Sequence, residues 1–158
     1  MDKEEKLQLA QGMARAMIAY FEGFSSKPYL CPGGYLTIGY GHKIEPGEDW
    51  TEISQEQAEI ILEQDIKMIL GFLEVSLQEK FDELNEDQIA ALVSFVFNVG
   101  RTAFQESTVR QKILAGAPIN EITSEMARWV NSNGKPLPGL ARRRRAEIEL
   151  FLSGKKKQ

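Results

Sequence analysis

Three residues near the start of the chain have types and spacing able to do chemistry together: Glu22, Cys31 nine residues later, and Thr37 six residues after that. A carboxylic acid can give a proton to a leaving oxygen, a thiol can act as a soft nucleophile or base, and a hydroxyl can hold a water. Phe21 and Phe24 flank the acid and predict an apolar wall beside it. Such a wall disfavours an ionised carboxylate, which suits a general acid. A glutamate at a helix end is more often merely solvated, so Glu22 by itself is weak evidence. Cys31 is the only cysteine and His42 the only histidine. An intrachain disulfide is therefore excluded, a metal site is not expected, and no cofactor is implied. The ordinary role of a lone cysteine is a small packing residue, and only its neighbours argue otherwise.

The elements that must position these groups are mostly helices. Ala10, Met13, Ala14, Met17 and Phe21 recur at three- and four-residue steps, which predicts a helix from Lys3 to Phe21 with Gly23 as its terminator. The next stretch, KPYLCPGGYLTIGYGH, mixes glycine and proline with β-branched and aromatic residues. Gly33-Gly34 predicts a hairpin turn between short strands. Side chains alternate along a strand, so Tyr35 and Thr37 share a face and Cys31 can meet Thr37 across the hairpin, in a cleft that Glu22 borders.

Ser54 with Gln57, and Asn85 with Gln88, form capping-box patterns. The first opens a stripe of Ala58, Leu62, Ile66, Ile69 and Leu73, weakened near its end by Gly71. The second opens a helix apolar on nearly every side, ending at Gly100, which marks the centre of the core. Ser107 suits the cap of a short helix ending at Gly116. Ile122, Met126, Trp129 and Val130 suggest another, Asn131 to Gly139 has loop chemistry, and a last helix runs from Arg142 to Leu152 and stops at Gly154. The expected class is α+β, a small hairpin lobe (about 23–50) on a larger helical body, with all 158 residues in a single domain.

A net charge of −4 does not suggest a nucleic-acid partner. Four arginines, Arg142 to Arg145, and three lysines, Lys155 to Lys157, form basic runs, read mainly as a solvated helix face and tail with a modest attraction to polyanions. No apolar run spans a bilayer and the N-terminus lacks the features of a signal peptide, so synthesis in the cytoplasm is expected.

The segment EGFSSKPYLCPGGYLTIGYGH resembles the active-site hairpin of the phage-type lysozymes, or endolysins, of glycoside hydrolase family 24. Their pattern is a glutamate, eight residues, an aspartate or cysteine, five residues, then a threonine, and Glu22, Cys31 and Thr37 follow it. LVSFVFNVG, AFQEST, RWVNSNGKPLPGLARRRRAE and FLSG resemble further blocks of the family. The resemblance covers about residues 16 to 154. It implies a lysozyme-like fold with the hairpin bordering the active-site cleft, and hydrolysis of the β-1,4 bond between N-acetylmuramic acid and N-acetylglucosamine in bacterial peptidoglycan. Glu22 would be the general acid and Thr37 would position water. Cys31 would be base, nucleophile or neutral neighbour; an ordinary thiol is only about 3% ionised at neutral pH. By motif position Phe97 and Ser107 are expected at the substrate, Lys43 and His42 at the cleft edge, with a structural role for His42 equally open. Either Arg142 or Arg143 would approach the glutamate. A monomer acting on the wall after release, without stable membrane insertion and through a separate holin-like partner, completes the expectation. Rival classes are a non-catalytic wall-binding domain, a lytic transglycosylase, and disruption of membranes or polyanions by the basic C-terminal segment.

Overall fold

The computed structural model describes residues 1–156; Lys157 and Gln158, and with them the end of the lysine run, lie outside the described residues. Helix α1 (Lys3–Glu22) opens with Asp2 accepting from the Glu5 N–H at 2.8 Å and closes at Gly23, whose N–H donates to the Ala19 carbonyl at 2.9 Å. Its buried stripe is Ala10, Ala14 and Ile18, a register that brings Glu22 to the inner end of the helix. Ile18 was absent from the expected stripe, while Met13 and Met17 are only half-buried.

Three antiparallel strands follow: β1 (Ser25–Leu30), β2 (Leu36–Gly39) and β3 (His42–Lys43). The third strand extends the expected hairpin. Tyr29 lies opposite Thr37, and Thr37 opposite Lys43, so the three share a row on one face. The register shifts between Ser25 and Tyr29, around Pro28, which has no N–H to give to a ladder. Cys31 stands just beyond β1, its N–H donating to the Tyr35 carbonyl at 3.0 Å, and Pro32 to Gly34 make the turn.

Both capping boxes form. Ser54 and Gln57 start α2 (Gln55–Leu77), which continues without interruption through Gly71. Asn85 and Gln88 start α3 (Glu86–Val99), and every residue from Asp87 to Val96 except Gln88 is buried. A 3-10 turn, Gln78–Glu83, joins the two helices. Helix α3 packs between α1 and α7 (Pro138–Lys156), and Phe95 meets Phe104 and Trp129 edge to face at 6.3 and 5.9 Å. The core of the molecule lies along α3, as the apolar pattern predicts.

The remaining elements differ from expectation in local ways. Gly100 ends α3, but the chain re-enters a short helix at once, α4 (Arg101–Gln105), before α5 (Thr108–Leu114). Helix α6 (Ile119–Met126) ends before Trp129, whose ring turns back onto Phe95. The expected loop contains a small hairpin, β4 (Asn131–Ser132) with β5 (Lys135–Pro136). Asn133 and Gly134 adopt φ of 52° and 78°, the paired left-handed geometry of a tight hairpin turn. Helix α7 begins at Pro138 rather than Arg142, because proline's fixed φ suits a first helical position. It also passes through Gly154 to Lys156.

Candidate active site

Glu22 is the last residue of α1, and the chain turns there because Gly23 takes φ 68°. Its carboxylate does not rest against an apolar wall. Phe24 is 41% exposed and faces Tyr40, and the ring of Phe21 has the Arg143 guanidinium 5.6 Å from its centre. The closest partner of Glu22 is that same cation: Arg143 Nη1 donates to Oε2 at 2.6 Å. The expected wall is corrected to a charged contact, formed where α7 crosses the end of α1.

Arg143 is held from behind. Its Nε donates to Glu147 at 3.3 Å, one helical turn along α7, and its Nη2 to the Ser94 carbonyl on α3 at 3.3 Å. Ser94 Oγ in turn donates to Glu147 Oε2 at 2.6 Å. Arg144 Nε lies 3.1 Å from the other Glu147 oxygen. Burial pushes the Glu147 carboxyl up, against the pull of Arg144 and Arg143. Burial and the neighbouring Arg143 push Arg144 down to about 10, against the pull of Glu147. Arg143 and Arg144 thus face two carboxyl groups, Glu22 and Glu147, in a largely buried quartet.

The arginine run is thus split. Arg142 and Arg145 are exposed, as a solvated face predicts, while Arg143 and Arg144 are buried. The choice left open between Arg142 and Arg143 falls to Arg143. One sequence signal bears on that choice: Arg143 lies three residues after Leu140 and four before Glu147, on the helix face that continues to the buried Phe151.

Gly41 completes the seat of Glu22. With φ +73°, its backbone lies so close that an added Cβ would sit 2.6 Å from the glutamate Cδ. Any side chain there would displace the acid. In the sequence this glycine was visible only as one of several in a turn-rich stretch.

The hairpin brings Cys31 and Thr37 to the same cleft as Glu22, a cavity of about 330 Å³ also lined by Tyr35, Lys43, Phe97 and Asn98. Partial burial acts to raise the Cys31 thiol. The Tyr35 backbone, the Thr37 hydroxyl, the Gly33 backbone and the Lys43 charge together outweigh it and hold the thiol below its usual range. Thr37 is buried, and its hydroxyl donates to the Tyr35 carbonyl at 3.0 Å. A hydroxyl has one proton, so it serves either that carbonyl or a Cys31 thiolate. Lys43 lies over the Tyr35 ring at 4.4 Å.

The cleft continues into a second hollow of about 610 Å³, with Tyr35, Gly41, Lys43, Phe97 and Val99 common to both. At the other end the two hairpins touch: Asn133 Nδ2 donates to the Pro32 carbonyl at 3.1 Å. Phe97 and Lys43 therefore line the cleft. Ser107 does not. It caps α5, accepting from the Arg110 N–H at 3.1 Å and donating to the Phe104 carbonyl at 2.7 Å, and it is 5% exposed. His42 borders the second hollow but is clamped, with Nδ1 2.8 Å from Asp65 on α2 and Nε2 3.0 Å from Glu48. The bond to Asp65, with the charge of Glu48, overrides burial and pushes the imidazole up to about 9. Of its two sequence readings, the geometry accords with the structural one.

The phage lysozyme family model matches residues 19–147. Over 143 residues the chain is 38% identical to an endolysin of Acyrthosiphon pisum secondary endosymbiont phage 1, covering 87% of this chain and 93% of the relative. It is 36% identical to an endolysin of Bacillus phage B103, but covers 89% of this chain and only 53% of that protein, so it spans about half of some relatives it matches. Among solved structures, the muramidase domain of SpmX from Asticaccaulis excentricus superposes with a TM-score of 0.75 at 31% identity, covering 88% of this chain and 94% of that one.

Proposed function

Since the chain belongs to the phage lysozyme family, we propose that it hydrolyses the β-1,4 bond between N-acetylmuramic acid and N-acetylglucosamine of bacterial peptidoglycan. The observation that carries this reading is the placement of Glu22 in one cleft with Cys31 and Thr37, under a buried arginine. Glu22 gives its proton to the glycosidic oxygen as that bond breaks. The carboxylate left behind is paired at once with Arg143, which also holds it in one orientation. Positive charge grows on the ring carbon, and water adds there. Thr37 orients that water. Cys31 takes a direct part, and its lowered thiol, with Lys43 nearby, supports a thiolate as base or nucleophile. Phe97 and Lys43 contact the substrate.

The sheet and helices act as one catalytic domain, which works as a monomer. No described helix is long and apolar enough to cross a membrane. The enzyme reaches the wall after release, through a separate holin-like permeabilising protein.

The test is product analysis on purified peptidoglycan. The parent is expected to release reducing ends, and Glu22→Gln to lower that rate by about 10²-fold or more while keeping the fold. A folded Gln variant with the parental rate would overturn the assignment. Anhydro-sugar products would instead identify a lytic transglycosylase, and binding without products a wall-binding domain.

A further inference from the structure

Asn98 lines the cleft beside Glu22, at the end of α3. Its Oδ1 accepts from Nη2 of Arg144, a side chain 1% exposed and stacked 5.0 Å from the centre of the Phe95 ring. A guanidinium has donors only, so an amide that faces it must present its oxygen. The NH2 end is thereby forced the other way. Nδ2 has no protein partner among the described residues and is not sealed from solvent. Among the described residues Arg144 Nη1 has no hydrogen-bond partner, and Nε meets Glu147 Oε1 at 3.1 Å as an ion pair only. Arg144 also pairs with the buried Glu147, but its one side-chain hydrogen bond among those residues goes to Asn98.

We infer that Arg144 is a positioning residue that locks the Asn98 amide with its NH2 donor toward the cleft, making Asn98 a specificity-determining contact for a substrate acceptor. The partner is a carbonyl or carboxylate oxygen, which the N-acetyl, lactyl and peptide groups of peptidoglycan all carry. The inference rests on the reading of the cleft as a peptidoglycan site.

Asn98→Asp separates the donor from the fold. An aspartate still offers Arg144 an oxygen, with charge added, so the melting temperature is expected to stay at or above the parental one. The cleft then receives an acceptor in place of a donor. With solubilised peptidoglycan strands as substrate, KM is expected to rise at least 10-fold for Asn98→Asp and about 3- to 10-fold for Asn98→Ala, with the loss falling on KM rather than kcat. Arg144→Met is expected to raise KM as much as Asn98→Ala does, and the double variant no further, because the arginine acts through the amide. Arg144→Lys, which keeps the charge beside Glu147, replaces it if the Met variant does not fold. A parental KM in both Asn98 variants overturns the contact. KM losses that add in the double variant overturn the positioning role. If the parent cleaves nothing, the assigned reaction has failed, and calorimetric Kd values for the same strands decide the inference by the same pattern. Strands that neither bind nor react overturn both.

Discussion

The two walls of the cleft are built in opposite ways. The front wall, Cys31 to Lys43, is a short sheet whose reactive groups lie close in sequence and are placed by strand register. The back wall joins α1, α3 and α7 through Glu22, Ser94, Asn98, Arg143, Arg144 and Glu147, and Glu22 and Arg143 are 121 residues apart. The front wall carries chemistry at a half-buried thiol and a buried hydroxyl. The back wall carries buried charges that aim side chains. Reactivity here is local, and orientation is assembled from distant parts.

That contrast can be broken first at the back. Arg143→Ala leaves Glu147 with one cation and Glu22 with none of its present ion pairs. It is expected to cost about 3 kcal/mol of stability, the usual penalty for breaking a buried pair, and to lower turnover strongly. Urea denaturation with the reducing-end assay checks both, and unchanged stability would mean that the quartet does not act as a unit. Where the walls meet, Gly41→Ala sets a methyl group 2.6 Å from the Glu22 carboxyl carbon at a φ that disfavours side chains. Turnover is expected to fall about 10²-fold, the order of effect of misplacing a catalytic group by an ångström. Stability should fall by only about 1–2 kcal/mol.

At the front wall the effects are chemical rather than structural. Cys31→Ala is expected to lose most activity and Cys31→Asp to retain it, with both variants melting near the parent. An alanine variant as active as the parent would reduce Cys31 to packing. The smallest effect on catalysis is expected at His42, which ties β3 to α2 and to Glu48. Its folded pKa of about 9 lies above the ordinary 6.5, so its contribution is fully present below about pH 6.5 and is lost as pH rises through about 9. The difference corresponds to on the order of 3 kcal/mol. Melting followed from pH 6 to 10 should show this decline in the parent and a flatter profile in His42→Gln.

Much of the molecule was determined by its sequence alone. The two capping boxes, the apolar α3, the hairpin turn and the spacing of Glu22, Cys31 and Thr37 all rest on interactions within a few residues, which local order encodes. Short-range patterns also limited what could be read. Arg142 and Arg143 are equivalent as letters, and only the crossing of α7 over α1 turns Arg143 toward Glu22. Ser107 sits in a motif shared with cleft residues, yet helix capping consumes its hydroxyl. The Asn98 amide has no direction until Arg144 packs behind it, and Asn133 reaches Pro32 across 101 residues of chain. These features depend on how whole helices pack, a sum over many distant side chains that no local pattern contains. The reactive groups belong to the sequence, and their aim belongs to the tertiary structure.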